Sequence, residues 1–531
     1  MTIMLIAAAG LYYALGETTD AAVLLLALVP VLGARWVLQA RAHSALRSVA
    51  QAAAPQDEGA CDRRAPLAQP DGTTSFQRRA AVLFRRWCVV AIAAGVALFA
   101  AGLANDEPWM RAGLAAVTFA IAAIPAGVAI VLTLFLSVGA WRLVSRGLMV
   151  RRLPAMEALG PTTVISIDDT GMLKRPEAVD AVAECQRAGI RVVVVTGDDK
   201  LMARSAGEAA NLPHDDASIV TGDELEALPE SERESRIQRS TIFARVSPAQ
   251  TFLVVDGLQR AGAVVAMTGD GIGDGPALRR ADVGIVGKRG TDAARAAADI
   301  VLPDDNLSSI VDAIRASRHV LLNSQRALLY LLSFQLPLIV LAVVAPLADV
   351  PLAVLPIHLV WLGLLSLSVA ACVFQAEAAS PGVMRRPPRD AAAPLLPGAA
   401  LLRSALSGAA VALGAWVTYT GQLPAVGEAE ARATALIVLL AGNQTLMFAE
   451  RLALPGLGVD LIPRARVFWL AWCASALSLG VVLYVPAVSR LFSVEPPAAA
   501  PTFAALALGV LAVVWRLLAA PRQSTAADGA R

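Results

Sequence analysis

The chain has 531 residues and a formal net charge of +2, which says little by itself, and no nucleic-acid partner is expected. Its composition is 56% hydrophobic with a mean hydropathy of +0.60, far above that of a soluble globular chain, so it reads as an integral membrane protein. The five cysteines (Cys61, Cys88, Cys185, Cys372, Cys473) are scattered with no Cys-x-x-Cys pair, which indicates neither a disulfide framework nor a zinc site.

Crossing a hydrocarbon core of about 30 Å takes about 20 helical residues. Apolar stretches of that kind lie near 21–40, 88–104, 113–141, 328–347, 351–375, 399–419, 433–449, 467–488 and 502–519, and a shorter one at 2–15 brings the expected spans to ten. No Lys or Arg precedes 2–15, which argues against a signal peptide. Arg41, Arg85, Arg86, Arg142, Arg146, Arg385, Arg386 and Arg464 fall on one side of these spans, while Glu17, Asp106, Glu107, Asp349, Glu428 and Glu430 fall on the other. By the positive-inside rule the basic side, with segment 145–326, is cytoplasmic, and the expected setting is the lipid of the inner (plasma) membrane.

The expected division is a first membrane hairpin (1–40), a short cytoplasmic loop (41–87), third and fourth membrane helices (88–144), a soluble domain (145–326), a six-helix membrane domain (327–520) and a disordered tail (521–531). Within 145–326, strand and helix patterns alternate. "TTVISID" and "IRVVVVTGD" read as strands, as do "AGAVVAMTGDG" and "ADVGIV", with helices between them. That alternation means a parallel α/β sheet with helices on both faces and a ligand site at the carboxyl ends of its strands.

Three strands close on an acid or hydroxyl followed by Gly: Asp168 to Gly171, Thr196 to Asp198, and Thr268 to Asp274. Converging strand ends let Asp168, Asp270 and Asp274 gather oxygen ligands for Mg²⁺, while Thr196 and the Gly-rich turns offer donors to a phosphate. A carboxylate held beside such a metal can attack phosphorus and become an aspartyl phosphate. For Asp274, a purely helix-capping role is the rival reading.

The blocks "TTVISIDDTGMLK", "VVVVTGDD", "FARVSPAQ", "VVAMTGDGIGDGPALRRADVGIV" and "GTDAARAAADIVLPDDN" resemble the phosphorylation domain of P-type ATPases, a haloacid dehalogenase-like fold. "RLPAMEALGPTTVISIDDTG" resembles the family's link from the fourth helix, and "MRRPPRD" its loop after the sixth helix in calcium and other cation pumps. The resemblance implies a multi-pass helical bundle carrying one cytoplasmic Rossmannoid domain. It makes Asp168 the nucleophile position, with Thr170, Thr196, Gly197 and Asp270 as catalytic companions and Asp168, Thr170, Asp270 and Asp274 around Mg²⁺.

Several residues depart from the family pattern. Asp169 replaces the Lys of Asp-Lys-Thr-Gly-Thr, Met172 its second Thr, Thr251 the Lys that faces the phosphoryl group, and Gly273 an Asn. Losing one preorganised donor of this kind costs about 10²–10³ in rate, and the Asp169 charge opposes a phosphate further. Lys174, Lys200 and Arg245 are the candidate substitutes. Thr170 also stands where related phosphatases carry an acid/base Asp, so a phosphoenzyme would turn over slowly. Only 28 positions separate Asp168 from Thr196, where the family inserts a nucleotide-binding domain. Loop 41–87 is too short for the actuator domain and lacks Thr-Gly-Glu, so it reads as a remnant of that region.

The transport site departs in the same way. The resemblance sets Pro125, Ala126 and Gly127 against Pro-Glu-Gly, Gln335 and Leu338 against Asn and Glu of the fifth helix, and Gly363 and Leu367 against Asn and Asp of the sixth. An acid at the bilayer centre costs about 2.5–3.5 kcal/mol and is kept for function, so its loss at each position points away from cation binding there. Ser333, Ser366, His358, Asn443, Gln444 and Glu450 are the other polar candidates, with interhelical bonding or packing the preferred role for His358, Gln335 and Asn443. Pro125 predicts a kink or unwound turn.

Three functions follow as expectations. The first is a degenerate pump with a regulatory or scaffold role, working with another P-type ATPase and with little or no autonomous ATP hydrolysis. The second is a cation-transporting ATPase completed by domains from a partner chain. The third is a Mg²⁺-dependent phosphatase using Asp168.

Overall fold

The run Val164–Ile167, β-branched at three of its four positions and buried throughout, forms the centre of a sheet. The computed structural model describes residues 2–14, parts of 21–44, 75–124, 127–377, 381–390, 393–452 and 463–518. Its strands are β1 (Met149–Val150), β2 (Val164–Ile167), β3 (Arg191–Val195), β4 (Ile219–Thr221), β5 (Ile242–Ala244), β6 (Val265–Thr268), β7 (Val283–Val286) and β8 (Ile300–Val301). They lie in the order β1-β8-β7-β6-β2-β3-β5-β4. All neighbours are parallel except β1 on β8, so the sheet has one direction and its strand ends share one edge.

Both faces of the sheet are covered, which explains why its strands read as unbroken apolar runs. Ile165, Ile167, Val192 and Val194 point into one core, and Val193, Val195, Val265 and Met267 into another. The first of these cores also takes Leu136, Ala140 and Leu143 from the helix Gly127–Val144. The sheet is thereby packed directly onto the membrane helices.

A single helix of 41 residues, Leu307–Leu347, ties the two parts together. Asn306 caps it by accepting from the Ser308 amide at 2.9 Å, and at 1.5 Å per residue it reaches about 60 Å. Leu307, Ile310 and Ile314 sit in the sheet's core, and Phe334, Leu338 and Leu341 in the membrane core. The helix runs without a break through the boundary expected at 326.

Seven helices among the described residues are long and apolar enough to cross a membrane: Arg85–Ala104, Leu307–Leu347, Pro356–Ala376, Gly398–Val426, Glu428–Arg451, Arg466–Tyr484 and Ala499–Leu518. The stretch 113–141, in which Pro125 leads the sequence to expect a kink or unwound turn, holds two helices, Trp109–Ala123 and Gly127–Val144, with Ile124 extended after the first. The helix Thr2–Ala14 has only 13 residues. Span 21–40 lies partly outside the described residues, as do most of loop 41–87 and the tail 521–531. Glu428–Arg451 is the innermost span, with 83% of its apolar window buried against 11% for Arg85–Ala104. Small residues permit its close contacts: a Cβ on Gly509 would lie 2.6 Å from the Val438 carbonyl oxygen.

Candidate functional site

β2 lies between β6 and β3, so the sheet brings their carboxyl ends side by side. Asp168 follows β2, Asp270 follows β6, and Asp274 closes the short turn Ile272–Asp274 after it. One carboxylate oxygen from each of the three lies within 4.8 Å of the others. The Asp168 amide donates to Thr268 Oγ1 at 3.1 Å, pinning β2 to β6 at the site. Asp274 Oδ2 accepts from the amides of Asp270 (3.2 Å) and Gly271 (2.8 Å), so this side chain caps its turn and faces the cluster at once.

Crowding acids together raises their proton affinity. Burial, then the charges of Asp274 and Asp270, a hydrogen bond with Asp274 and the charge of Asp169 push Asp168 from 3.8 up to about 8. Asp270 is raised as well, by burial and by the charges of Asp169 and Asp274. Three converging carboxylates are a hard oxygen set that suits Mg²⁺, and a divalent cation would cancel this repulsion.

Thr170 is buried, and its Oγ1 donates to Asp198 Oδ2 at 2.7 Å instead of joining the three acids. Thr196 Oγ1 accepts from the Asp198 amide at 3.2 Å, and Gly197 follows it at the open end of β3. Asp198 is the member of the site that the sequence reading did not assign. Its signal is the acid directly after Thr-Gly at a strand end.

Asp169 caps the short helix Thr170–Leu173 by accepting from the Gly171 amide at 2.7 Å. Thr251, where the resemblance calls for Lys, is buried and donates to the Ser247 carbonyl oxygen at 3.3 Å within its own helix. Arg245 faces Asp223 at 3.9 Å, and Lys174 and Lys200 are exposed. A Cβ on Gly273 would lie 2.8 Å from the Pro248 ring.

In the membrane, Pro125 and Ala126 lie outside the described residues. Leu367 reaches within 3.1 Å of where a Cβ on Gly127 would sit, Leu338 is buried, and Gly363 has open space beside it. Gln335 Nε2 donates to the Ala122 carbonyl oxygen, tying two helices. Asn443 accepts from the Tyr330 hydroxyl at 2.7 Å, and Ser366 donates to the Gly363 carbonyl oxygen at 3.1 Å. His358 Nδ1 accepts from the Leu355 amide at 3.1 Å, which leaves Nε2 to donate to the Phe492 carbonyl oxygen at 2.7 Å. Both ring nitrogens are thus used in packing the helix start. Glu450, fully buried, is bonded by Ser333 (2.7 Å), Ser404 (2.9 Å) and Arg516.

Comparison with known proteins gives the same picture. A family model described as haloacid dehalogenase-like hydrolase matches residues 158–282, and one for the C-terminus of cation-transporting ATPases matches residues 351–520. Calcium-transporting ATPase 1 of Bacillus cereus is 38% identical over 238 residues, covering 44% of this chain and 27% of the relative. An endoplasmic reticulum calcium ATPase of Aspergillus fumigatus is 36% identical over 268 residues (48% of this chain, 28% of the relative). The probable cation-transporting ATPase F of Mycobacterium tuberculosis is 33% identical over 331 residues (61% and 36%). The alignments thus span between 27% and 36% of these three relatives. A sheet with this motif order, joined to cation-pump helices and matched by these models and relatives, places the chain in the family of P-type cation-transporting ATPases.

Proposed function

We propose that this protein is a degenerate cation pump of the plasma membrane, with a regulatory or scaffold role and no ATP hydrolysis of its own. The observation that carries this reading is the path from β2 to β3. Between Asp168 and Thr196 the chain forms only the helices Thr170–Leu173 and Glu177–Arg187, leaving no room for an adenine-binding domain. The electrostatics support the same reading. Asp169 adds negative charge beside the acids, and the Thr251 hydroxyl is turned back into its own helix, where it offers a phosphate nothing.

Asp168, Asp270 and Asp274 would hold Mg²⁺, which would supply charge neutralisation at the strand ends. Membrane lipid surrounds the helices, and a complete P-type ATPase is the proposed protein partner. The retained Asp168–Asp270–Asp274 constellation favours a second reading, a pump whose nucleotide-binding and actuator functions come from another chain.

The test is intact-mass analysis of the purified protein after incubation with Mg²⁺ and acetyl phosphate, beside an Asp168→Asn control. Acetyl phosphate needs no adenine site and so interrogates the nucleophile alone. The expected result is no added phosphoryl group on folded protein. A gain that vanishes in the control would overturn the inactive reading in favour of a partner-completed pump or a phosphatase.

A further inference from the structure

Among the described residues of 145–306, the large apolar side chains that stand in water are Leu201 (78% exposed), Met202 (44%), Leu253 (42%) and Ile272 (72%). Single exposed apolar residues are ordinary on any surface, but a scatter would spread them over the whole domain. These four all belong to segments that leave the carboxyl ends of strands. Leu201 and Met202 open the helix Lys200–Ala209 after β3, Leu253 lies in Pro248–Arg260 after β5, and Ile272 begins the turn after β6.

The segments touch one another. The Arg245 and Val246 amides, after β5, donate to the Asp198 (2.8 Å) and Thr196 (3.1 Å) carbonyl oxygens, after β3. A Cβ on Gly273, next to Ile272, would meet the Pro248 ring at 2.8 Å, so the turn after β6 packs on the start of the helix after β5. Acids accompany the apolar groups. Asp199 accepts from the Leu201 and Met202 amides, both at 2.9 Å, Asp198 from the Thr170 hydroxyl, and Asp169 from the Gly171 amide. These three stand outside the set assigned to Mg²⁺, and Arg245, on the same edge, faces Asp223 at 3.9 Å.

The opposite edge of the sheet is the one fixed to the membrane part. A Cβ on Gly189, just before β3, would lie 3.0 Å from Pro387 Cα, in the loop after the helix Pro356–Ala376. Arg318 of the long helix donates to the Gly160 carbonyl oxygen, before β2, at 3.2 Å and to the Arg386 carbonyl oxygen of that loop at 3.0 Å. The amino edge thus sits on the membrane part, and the carboxyl edge points away from the bilayer. Lipid cannot cover it. Nor can a second copy in the same membrane, because a two-fold axis along the bilayer normal brings flanks together and not tops.

We propose that the carboxyl edge around Leu201, Met202 and Ile272 is a docking surface for a soluble protein segment that presents apolar side chains beside lysine or arginine. Docking takes the apolar groups out of water and sets the segment's cations against Asp169, Asp198 and Asp199. The proposal rests on the reading of this protein as the regulatory partner of another, and it names the surface and the chemistry of the segment that binds there.

The experiment measures the fluorescence anisotropy of two short fluorescein-labelled peptides, one alternating leucine with lysine and the other leucine with glutamate. Full-length protein in phosphatidylcholine nanodiscs is titrated into each with millimolar Mg²⁺ present, and empty nanodiscs give the background. The lysine peptide should bind about tenfold more tightly than the glutamate peptide, and Leu201→Gln and Ile272→Gln should each weaken its binding about tenfold. Both side chains stand in water, so the variants keep the fold. No binding above background, equal binding of the two peptides, or full binding retained by either variant would overturn the proposal. Phosphorylation of Asp168 by acetyl phosphate would overturn the inactive reading and leave this surface standing, and failure here leaves that test unaffected.

Discussion

Arg516 binds both oxygens of Glu450, with Nη1 on Oε1 and Nη2 on Oε2 at 3.1 Å, in a pair that is 5% and 0% exposed. The arginine comes from the helix Ala499–Leu518 and the glutamate from the helix Glu428–Arg451. Ser333 and Ser404 add hydroxyl donors from two more helices, so the acid is satisfied by protein alone. A carboxylate held in this way joins four helices and has both oxygens engaged by protein donors. Glu377, the other buried glutamate of the described membrane helices, is likewise held by Arg451.

Removing one member of the pair should therefore damage the fold more than removing both. Glu450→Gln leaves Arg516 buried and uncompensated, at an expected loss of about 3–5 kcal/mol. Glu450→Gln combined with Arg516→Met should recover most of it. Apparent unfolding midpoints of the two variants in detergent check the order. Equal losses would sink the claim that the cost comes from the orphaned charge.

Above about pH 8, where Asp168 gives up its proton, Asp168→Asn should raise the thermal midpoint in the absence of divalent ions. The amide removes one of three mutually repelling acids, a relief worth about 1–2 kcal/mol. The same variant should lose most of the stabilisation that millimolar Mg²⁺ gives the wild type. A wild type indifferent to Mg²⁺ would contradict the metal reading of the cluster.

Stability should also depend on pH with a definite sign. Asp168 titrates at about 8 in the folded protein against 3.8 ordinarily, so the fold holds a proton that the unfolded chain releases across that window. Its contribution is therefore fully present at the acid end and is lost as pH rises towards 8. Midpoints measured across the window without Mg²⁺ should fall from this group, and Asp168→Asn should flatten the trend. An unchanged slope in the variant would assign the effect to other groups.

Restoring the family's two lysines should restore phosphate affinity. In the double variant Asp169→Lys, Thr251→Lys the cluster loses one negative charge and gains two positive ones. Beryllium fluoride, a phosphoryl mimic, added in the presence of Mg²⁺ should stabilise this variant further and leave the Mg²⁺-loaded wild type unmoved. Loss of the Asp169 cap on Gly171 will lower the baseline by about 1 kcal/mol, so each protein is compared with its own state in Mg²⁺ alone. A wild type that responds as strongly as the double variant would show that the missing lysines are not what disables the site.

Much of the site is legible in the sequence. Asp168, Asp270 and Asp274 stand at strand ends marked by β-branched runs and glycines, and a parallel sheet must bring such ends to one edge. The Thr170 hydroxyl behaves differently: it turns to Asp198, and only the packing of the loop after β2 against the loop after β3 decides that.

The membrane part divides along the same line. Apolar runs long enough to span a bilayer are a local property, and seven of the expected spans appear as full-length helices among the described residues. That Leu307–Leu347 is one helix through both sheet and membrane and that Glu450 belongs to Arg516 are not local properties. Hydropathy and strand-end punctuation repeat within a few residues and can be read along the chain. The partner of a buried charge depends on which helices meet, so Arg516, 66 positions from Glu450, is found only in the folded bundle.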